Sequence, residues 1–403
     1  MKKKLFFPCL VAAAAVSFFA NCYASDTQKG TYQAKINSML SDKWHSYTAD
    51  KPNLLGAVAI YITSPKGNFY ANTDTRASNI NAHFRIASAT KTFTAASIML
   101  LNQQGKLNIN DLITAPIPGS KESYAPNMPD YNIPYKNQIT IKMLLNHRAG
   151  VFDVDNNAIP KEAACPYAGR NYVLSKETVS PEHTFTFDEL LGVVAACDLK
   201  FFPPNTDYHY SDTGYSLLGK IIERVSGKRY SEFVRDNFLI PNSLNQTSLP
   251  YLGSDTKIPV PYETGYAYDG ATSFDVTEDN MSVHVSEGNV ITTVLDLANW
   301  IRKLVRGEAG VSADTVKLMT AEIHNPNVNY GLGISTVPGL GYGHEGGTNG
   351  YLTVARYDPR QDVTVIISAS VINWKDYVTE MYALYDIGRA AKNILGYSTE
   401  EKF

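Results

Sequence analysis

Ser88-Ala-Thr-Lys91 sets a hydroxyl and an amine three residues apart at the head of FRIASATKTFTAASIMLLNQQGKL, an apolar run with helical period. Residues three apart on a helix share a face, so the Lys91 amine stands beside the Ser88 hydroxyl. A serine nucleophile needs such a neighbour to lose its proton. The pattern S-x-x-K also arises by chance, and Ser254-Asp-Thr-Lys257 repeats it in YLGSDTKIPVP. Gly and Pro flank that second copy and no helical run follows it, so it reads as a loop. Tyr210-Ser211-Asp212 lies just before a helical stretch, with Asp212 or Thr213 as the expected N-cap. Tyr210 suits a general acid or base beside Ser88, provided that Lys91 lowers its pKa. His344-Glu345-Gly346-Gly347 falls on a strand-like segment, GYGHEGGTNGY, where glycines admit close backbone approach. The amides of Ser88 and Gly347 can then form an oxyanion hole, with His344 a positive or donor group over the leaving side. Taken singly, a tyrosine beside a cap and a glycine-rich bend are ordinary structural features; their combination carries the chemistry.

The elements that must position these residues follow from periodicity. Thr31 to Tyr47 reads as an amphipathic helix, and Gly56 to Ser64 returns through Pro65-Lys66-Gly67 to Asn68–Asn72 as a hairpin. From about residue 107 to 321 the signals are mostly helical, separated by Pro-, Asn- and Tyr-rich loops. Strand signals then return in YGLGISTV, LGYGHEGG, YLTVARYDP and DVTVIISAS, and a helix from about Lys375 to Ile394 closes the chain. Strands at both ends with helices between predict an α+β fold: one antiparallel sheet built from both termini, flanked by helices, with an all-helical sub-domain inserted at roughly 107–321. Ser88 then falls in the cleft between sub-domains, where pockets concentrate.

The chain has 403 residues, 44% hydrophobic and 19% charged, an ordinary globular composition too long for a single simple core. A net charge of −3 points to neither nucleic acid nor an anionic membrane surface as partner. Lys2-Lys3-Lys4 followed by apolar Leu5 to Ala20 reads as a secretory signal ending at Ala24, too short for a membrane span. A lipoprotein reading of Cys22 is disfavoured by Asn21 before it. Residues 25–403 are therefore expected as the mature bacterial protein, periplasmic or secreted. It retains Cys165 and Cys197, expected to close one disulfide over about 30 residues. The histidines lack ligand spacing, so neither metal nor cofactor is expected, and no pattern speaks to oligomeric state.

The order S-x-x-K, Y-S-D, H-E-G resembles the penicillin-recognising serine hydrolases, which include soluble DD-carboxypeptidases, class C β-lactamases, D-aminopeptidases and D-amino-acid amidases. FRIASATKTFTA, ITIKMLLNHRAGVFD, NTDYHYSDTGYSLLGKIIERVSGK and SEGNVITTVLDLANWI extend the resemblance over nearly the whole mature chain. The resemblance implies a β-lactamase/transpeptidase-like fold, Ser88 as the acylated nucleophile, and proton transfer shared by Lys91 and Tyr210. It further implies Asp212 in the third position of the Y-x-N motif, His344 and Gly346 on the substrate-facing strand, and the Ser88 and Gly347 amides around the oxyanion. His147, in LLNHRAG, is taken as structural.

Two departures bear on substrate. Asp212 stands where many relatives carry asparagine, and a carboxylate beside Lys91 favours the ammonium, moving the proton-carrying role toward Tyr210. Glu345 is unusual in its motif; alternation along a strand would turn it from the cleft. Gly347 in place of a hydroxyl, and Ser335 where an arginine would stand, leave no evident partner for a substrate carboxylate. The expected activity is that of a D-stereospecific peptidase or amidase, D-Ala-D-Ala carboxypeptidase-like or D-aminopeptidase-like. The charges point to a neutral or amine-bearing D-amino-acid amide, small peptide or ester as substrate, with esterase and β-lactamase activity as alternatives within the family. The alternative of another class is a non-catalytic penicillin- or peptidoglycan-binding sensor.

Overall fold

The computed structural model describes residues 25–74, 79–321, 323 and 329–400; the expected signal at 1–24 lies outside them. Helix α1 (Asp26–Thr48) starts where Ser25 caps the Gln28 amide. It precedes the hairpin β1 (Val58–Ser64) and β2 (Gly67–Asn72). Strand β3 (Phe84–Arg85) leads through a tight 3₁₀ turn at Ala87–Thr90 into α2 (Lys91–Gln103). Next come α3 (Ile141–Leu145), α4 (Tyr172–Val179), α5 (Phe187–Ala196), α6 (Asp212–Ser226) and α7 (Tyr230–Val234). Strands β4 (Tyr266–Tyr268), β5 (Ser273–Asp275) and β6 (Ile291–Thr292) precede α8 (Val294–Arg306) and α9 (Ala313–Thr320). Strands β7 (Ser335–Val337), β8 (Gly341–Thr348), β9 (Tyr351–Asp358), β10 (Val363–Ala369) and β11 (Val371–Ile372) and the closing helix α10 (Tyr377–Ile394) complete the order.

The main sheet runs β2-β1-β10-β9-β8-β7 and is antiparallel throughout, joining strands from both ends of the chain. Its side chains alternate between two cores. Val58, Ile60 and Ile62 of β1 meet Ile36 and Leu40 of α1 and Leu384 and Ile387 of α10 on one face. Tyr61, Ala355, Tyr357 and Ile366 join the core of α2, α6 and α8 on the other. The segment expected to be wholly helical also holds β4, β5 and β6, with β4 parallel to β11 and β6 antiparallel to β3. Strands of two or three residues are too short to show a period, so the sequence carries no sign of them. Cys165 and Cys197 are disulfide-bonded, tying a loop to the end of α5.

Helix α2 carries the first motif and is buried from Lys91 to Leu101. An element that is apolar on all sides must be enclosed, and α6, α7 and β8 surround it. Phe93 stacks on Trp300 of α8 at 3.9 Å between ring centroids. The Trp300 indole N–H donates to Thr92 Oγ1 at 2.8 Å. This contact fixes α2, and with it the Ser88 turn, against the sheet-covering helix. Trp300→Ala should destabilise the protein by about 3–5 kcal/mol, the usual range for deleting a large buried aromatic. Trp300→Phe should cost less because it keeps the ring stack; denaturant titration checks both.

Candidate active site

Ser88 sits in the 3₁₀ turn ahead of α2, behind a neighbour with strained backbone: Ala87 has φ +46°. The turn is anchored to the segment that enters β6, with the Ile86 amide donating to Val290 O at 3.1 Å and the Val290 amide to Thr90 Oγ1 at 3.1 Å. Strand β8 passes so close that a Cβ on Gly346 would lie 2.2 Å from Ile86 O and 2.9 Å from Ser88 N. Only glycine fits there, which is a steric reason for the glycine of His344-Glu345-Gly346. Gly347 and Ser88 line one cleft.

Lys91 is fully buried, and its Nζ meets Ser88 Oγ at 3.1 Å, Asp212 Oδ1 at 2.6 Å, Glu287 O at 2.9 Å and Glu287 Oε2 at 3.2 Å. Burial opposes its charge, but Asp212 and Glu287 outweigh burial and hold the ammonium above its ordinary pKa. Asp212 is the first residue of α6 and not its cap: Ser211 is the N-cap, its Oγ accepting from the Gly214 amide at 3.1 Å. Serine's short side chain reaches that amide, which leaves Asp212 free to turn toward Lys91. Burial works against the Asp212 charge too, yet Lys91 and a 2.7 Å bond from Asn156 Nδ2 keep it below its usual range.

Tyr210 lies over this cluster, with Lys91 Nζ 4.8 Å from its ring centroid. Its hydroxyl is buried and completes no hydrogen bond, though it lies close enough to Ser88 for that hydroxyl to ease its ionisation. The expectation that Lys91 lowers Tyr210 is corrected here. Burial, and then the Asp212 charge, push Tyr210 well above its ordinary value, so it rests as a neutral phenol. His147, with φ +59°, stacks on Tyr210 at 4.2 Å and on Tyr215 at 5.0 Å, and its Nδ1 accepts from the Ser211 amide at 3.1 Å. The histidine taken as structural thus packs against Tyr210 and fixes the segment that carries it.

His344 is buried, and both ring nitrogens are engaged. Its Nδ1 lies 2.5 Å from Glu345 O, an acceptor only, so Nδ1 carries the proton and Nε2 accepts from the Tyr330 hydroxyl at 2.8 Å. Burial, Lys91 and Arg356 push it well below its ordinary pKa. His344, expected as a positive or donor group over the leaving side, is instead a neutral imidazole whose one N–H is taken by Glu345 O and whose Nε2 positions Tyr330. Glu345 turns to the opposite face of β8 and pairs with Arg356, which also bonds Ser335. The Ser254–Lys257 copy of the first motif lies in a turn and the loop after it.

Sequence reasoning missed the residues behind Lys91. The loop before β6 brings in Glu287, whose Oε1 lies 2.5 Å from His284 Nδ1, which in turn is 3.4 Å from Asp155 Oδ2. Ser286, with φ +72°, pins this loop through a bond from Thr94 to its carbonyl and one from its own Oγ to Tyr215 O at 2.9 Å. Burial opposes the His284 charge, but Glu287 and Asp155 lift the imidazole to about 10. Burial lifts Asp155 to about 7 against the pull of His284. The available signal was a histidine and a glutamate three apart in a stretch of mostly small and apolar residues, HVSEGNVITT. Among the described residues Asp155, His284 and Glu287 also form the group able to converge on a cation, with ligand atoms within 4.8 Å of one another. A 2.5 Å separation between two of those atoms is a hydrogen bond and leaves no room for an ion between them.

The cleft in front of Ser88 is acidic. Asp155, Glu177, Asp212, Asp279 and Glu287 line it, and no arginine or lysine does among the described residues. Trp374 and Asn349 stand at its edge.

A sheet of this topology with a Ser–Lys–Tyr cluster at its helix junction is the architecture of the penicillin-recognising serine hydrolases. The chain belongs to the Beta-lactamase family, whose model matches residues 48–385. Penicillin-binding protein 4* of Bacillus subtilis is 26% identical over 315 residues, covering 73% of this chain and 62% of that protein. Protein flp of Staphylococcus aureus is 24% identical over 313 residues, covering 76% and 56%. The chain thus spans about six tenths of the length of these relatives. The D-stereospecific amidohydrolase from Streptomyces sp. superposes with a TM-score of 0.69 at 23% identity, covering 86% of this chain and 97% of that one. D-amino acid amidase from Ochrobactrum anthropi SV3 also gives 0.69, at 19% identity, covering 91% and 99%. These likenesses establish the fold.

The charges behind Lys91 imply a pH-dependent stability. His284 is raised in the folded state, so its contribution is fully present below its unfolded value near 6.5 and is lost as pH rises through about 10. Asp155, raised from 3.8 to about 7, contributes a separate, earlier fall between those two values, almost all of it below that window. Denaturant titrations should therefore show stability falling from about pH 6.5 to about pH 10, with a shallower fall in His284→Gln.

Proposed function

We propose that this chain is a serine acyl hydrolase working through an acyl-enzyme on Ser88, with D-aminoacyl amides and peptides bearing a free amine as its substrates. The observation that carries the substrate class is the excess of carboxylates in the Ser88 cleft: Asp155, Glu177, Asp212, Asp279 and Glu287 line it against the charged imidazole of His284, with no arginine or lysine among the lining residues. A substrate carboxylate about 4 Å from one of these groups would be repelled by about 4 kcal/mol at an effective dielectric of about 20, and an ammonium favoured by as much. The D-configuration is supported by the names of the solved relatives, a D-stereospecific amidohydrolase and a D-amino acid amidase.

In this scheme Ser88 Oγ attacks the amide carbon, the oxyanion sits at the Ser88 and Gly347 amides, and Tyr210 as a neutral phenol is suited to protonate the leaving amine. Water then releases the acyl group. Export belongs to the same proposal and is supported by the disulfide. No described helix is long and apolar enough to cross a membrane.

Ser88→Ala should lower turnover of a D-aminoacyl amide by about 10³-fold or more. Wild type should prefer that amide to an N-acylated D-Ala-D-Ala peptide; a strong preference for the free carboxylate would overturn the substrate class and favour a carboxypeptidase. Glu177→Gln combined with Asp279→Asn should raise KM for the amine-bearing amide about tenfold, while an N-acetylated ester of the same amino acid should change less than twofold.

A further inference from the structure

We infer that Glu287 is the proton acceptor that frees Lys91 to take the proton of Ser88, and that His284 sets when it can do so. The inference rests on the proposed acyl-enzyme chemistry at Ser88.

Acylation needs a base at Ser88, and the two family candidates are both occupied. Lys91 is an ammonium held by two carboxylates, and Tyr210 is a buried phenol. The ammonium can accept a proton only while giving one up. Three acceptors other than Ser88 ring its Nζ: Asp212 Oδ1 at 2.6 Å, Glu287 O at 2.9 Å and Glu287 Oε2 at 3.2 Å. A carbonyl is not basic enough to hold the proton. Asp212 is stabilised as a carboxylate by Asn156, and its pKa is held low. Glu287 is different: burial and the Asp212 charge raise it, against the pull of Lys91 and His284. Of the two carboxylates it is the one poised to be protonated.

The transfer balances. The Ser88 Oγ proton moves to Lys91 Nζ as Nζ passes one of its own to Glu287 Oε2. Oγ bonds the substrate carbon, and the carbonyl electron pair moves onto oxygen. When the tetrahedral adduct collapses the C–N bond breaks, and the leaving nitrogen takes a proton from Tyr210, which is restored from Glu287 through Lys91. Glu287 Oε1 keeps its bond from His284 Nδ1 throughout. The charged and titratable groups facing Glu287 are Lys91 on α2, Asp212 on α6, Tyr230 on α7, and His284 with Asp155 behind it. Glu287 acts through Lys91 and is therefore a positioning residue with a proton-accepting role.

The test is the pH dependence of kcat on a D-aminoacyl p-nitroanilide for wild type, Glu287→Gln, Glu287→Asp, His284→Gln and Ser88→Ala. In wild type, activity should fall on the acid side as Glu287 takes up a proton. Glu287→Gln should lower kcat about 100-fold, a far larger effect than the rise in KM from losing one cleft carboxylate, and its acid limb should move to lower pH, where Asp212 is protonated. Glu287→Asp should recover at least tenfold of that loss. His284→Gln removes a positive charge from Glu287, so its acid limb should move to higher pH. A Glu287→Gln enzyme within threefold of wild type with an unmoved limb overturns the inference, as does an unmoved limb in His284→Gln. The His284→Gln profile decides if Glu287→Gln does not fold. Turnover surviving in Ser88→Ala instead overturns the acyl-enzyme itself, so the two failures are distinct.

Discussion

A lysine ammonium with no exposed surface, closed in by Asp212, Glu287 and the Ser88 hydroxyl, is the constraint on which the rest of this structure depends. A buried charge is tolerated only when it is paired and its hydrogens are bonded. Each partner comes from a different part of the chain: Ser88 from the turn before α2, Asp212 from the first residue of α6, Glu287 from the loop before β6. The demand of one ammonium therefore holds three elements in register. The bonds around it serve the same end, with Ser211 capping α6 so that Asp212 turns inward, and Ser286 fastened to Thr94 and Tyr215 so that Glu287 cannot withdraw.

Charge then decides what the site is suited to do. Lys91 and His284 are cations near Ser88, and both are paired with carboxylates, Lys91 fully buried and His284 at the cleft wall. The histidine on β8 supplies no third cation, because it is neutral and tied to Tyr330. Arg356, the arginine nearest that strand, is consumed by Glu345 on the far face. What the cleft presents in front of the Ser88 hydroxyl is therefore an excess of carboxylates, and the proposed preference for an amine-bearing substrate rests on that excess.

Much of the architecture was legible before any coordinates. Strand patterns at both ends and helical patterns between them require a sheet closed by both termini, and long periodic segments such as α2, α8 and α10 are readable because burial imposes their period. The inserted region was less legible. Strands β4, β5 and β6 are too short for alternation to show, and their pairing partners β11 and β3 are remote in sequence. The cap of α6, Ser211, lies one or two residues before the expected Asp212 or Thr213, because serine, aspartate and threonine all cap well and adjacent candidates are not distinguished by sequence.

The sequence by itself determined the nucleophile's neighbourhood, because Ser88 and Lys91 are joined by one helical turn and local geometry cannot separate them. It also determined the presence of a carboxylate at Asp212, whereas the need for glycine at Gly346 comes from the tertiary approach of Ile86 and Ser88. Only the tertiary structure decided the ionisation of the site. Tyr210 is neutral, His344 is neutral and His284 is charged for reasons of burial and of carboxylates that lie far along the chain. A pKa is set by every charge and by all the low-dielectric matter within several ångströms, and sequence spacing does not report that neighbourhood. For the same reason Glu287, 196 residues from Lys91, became visible as a partner of Lys91 only once the chain was folded.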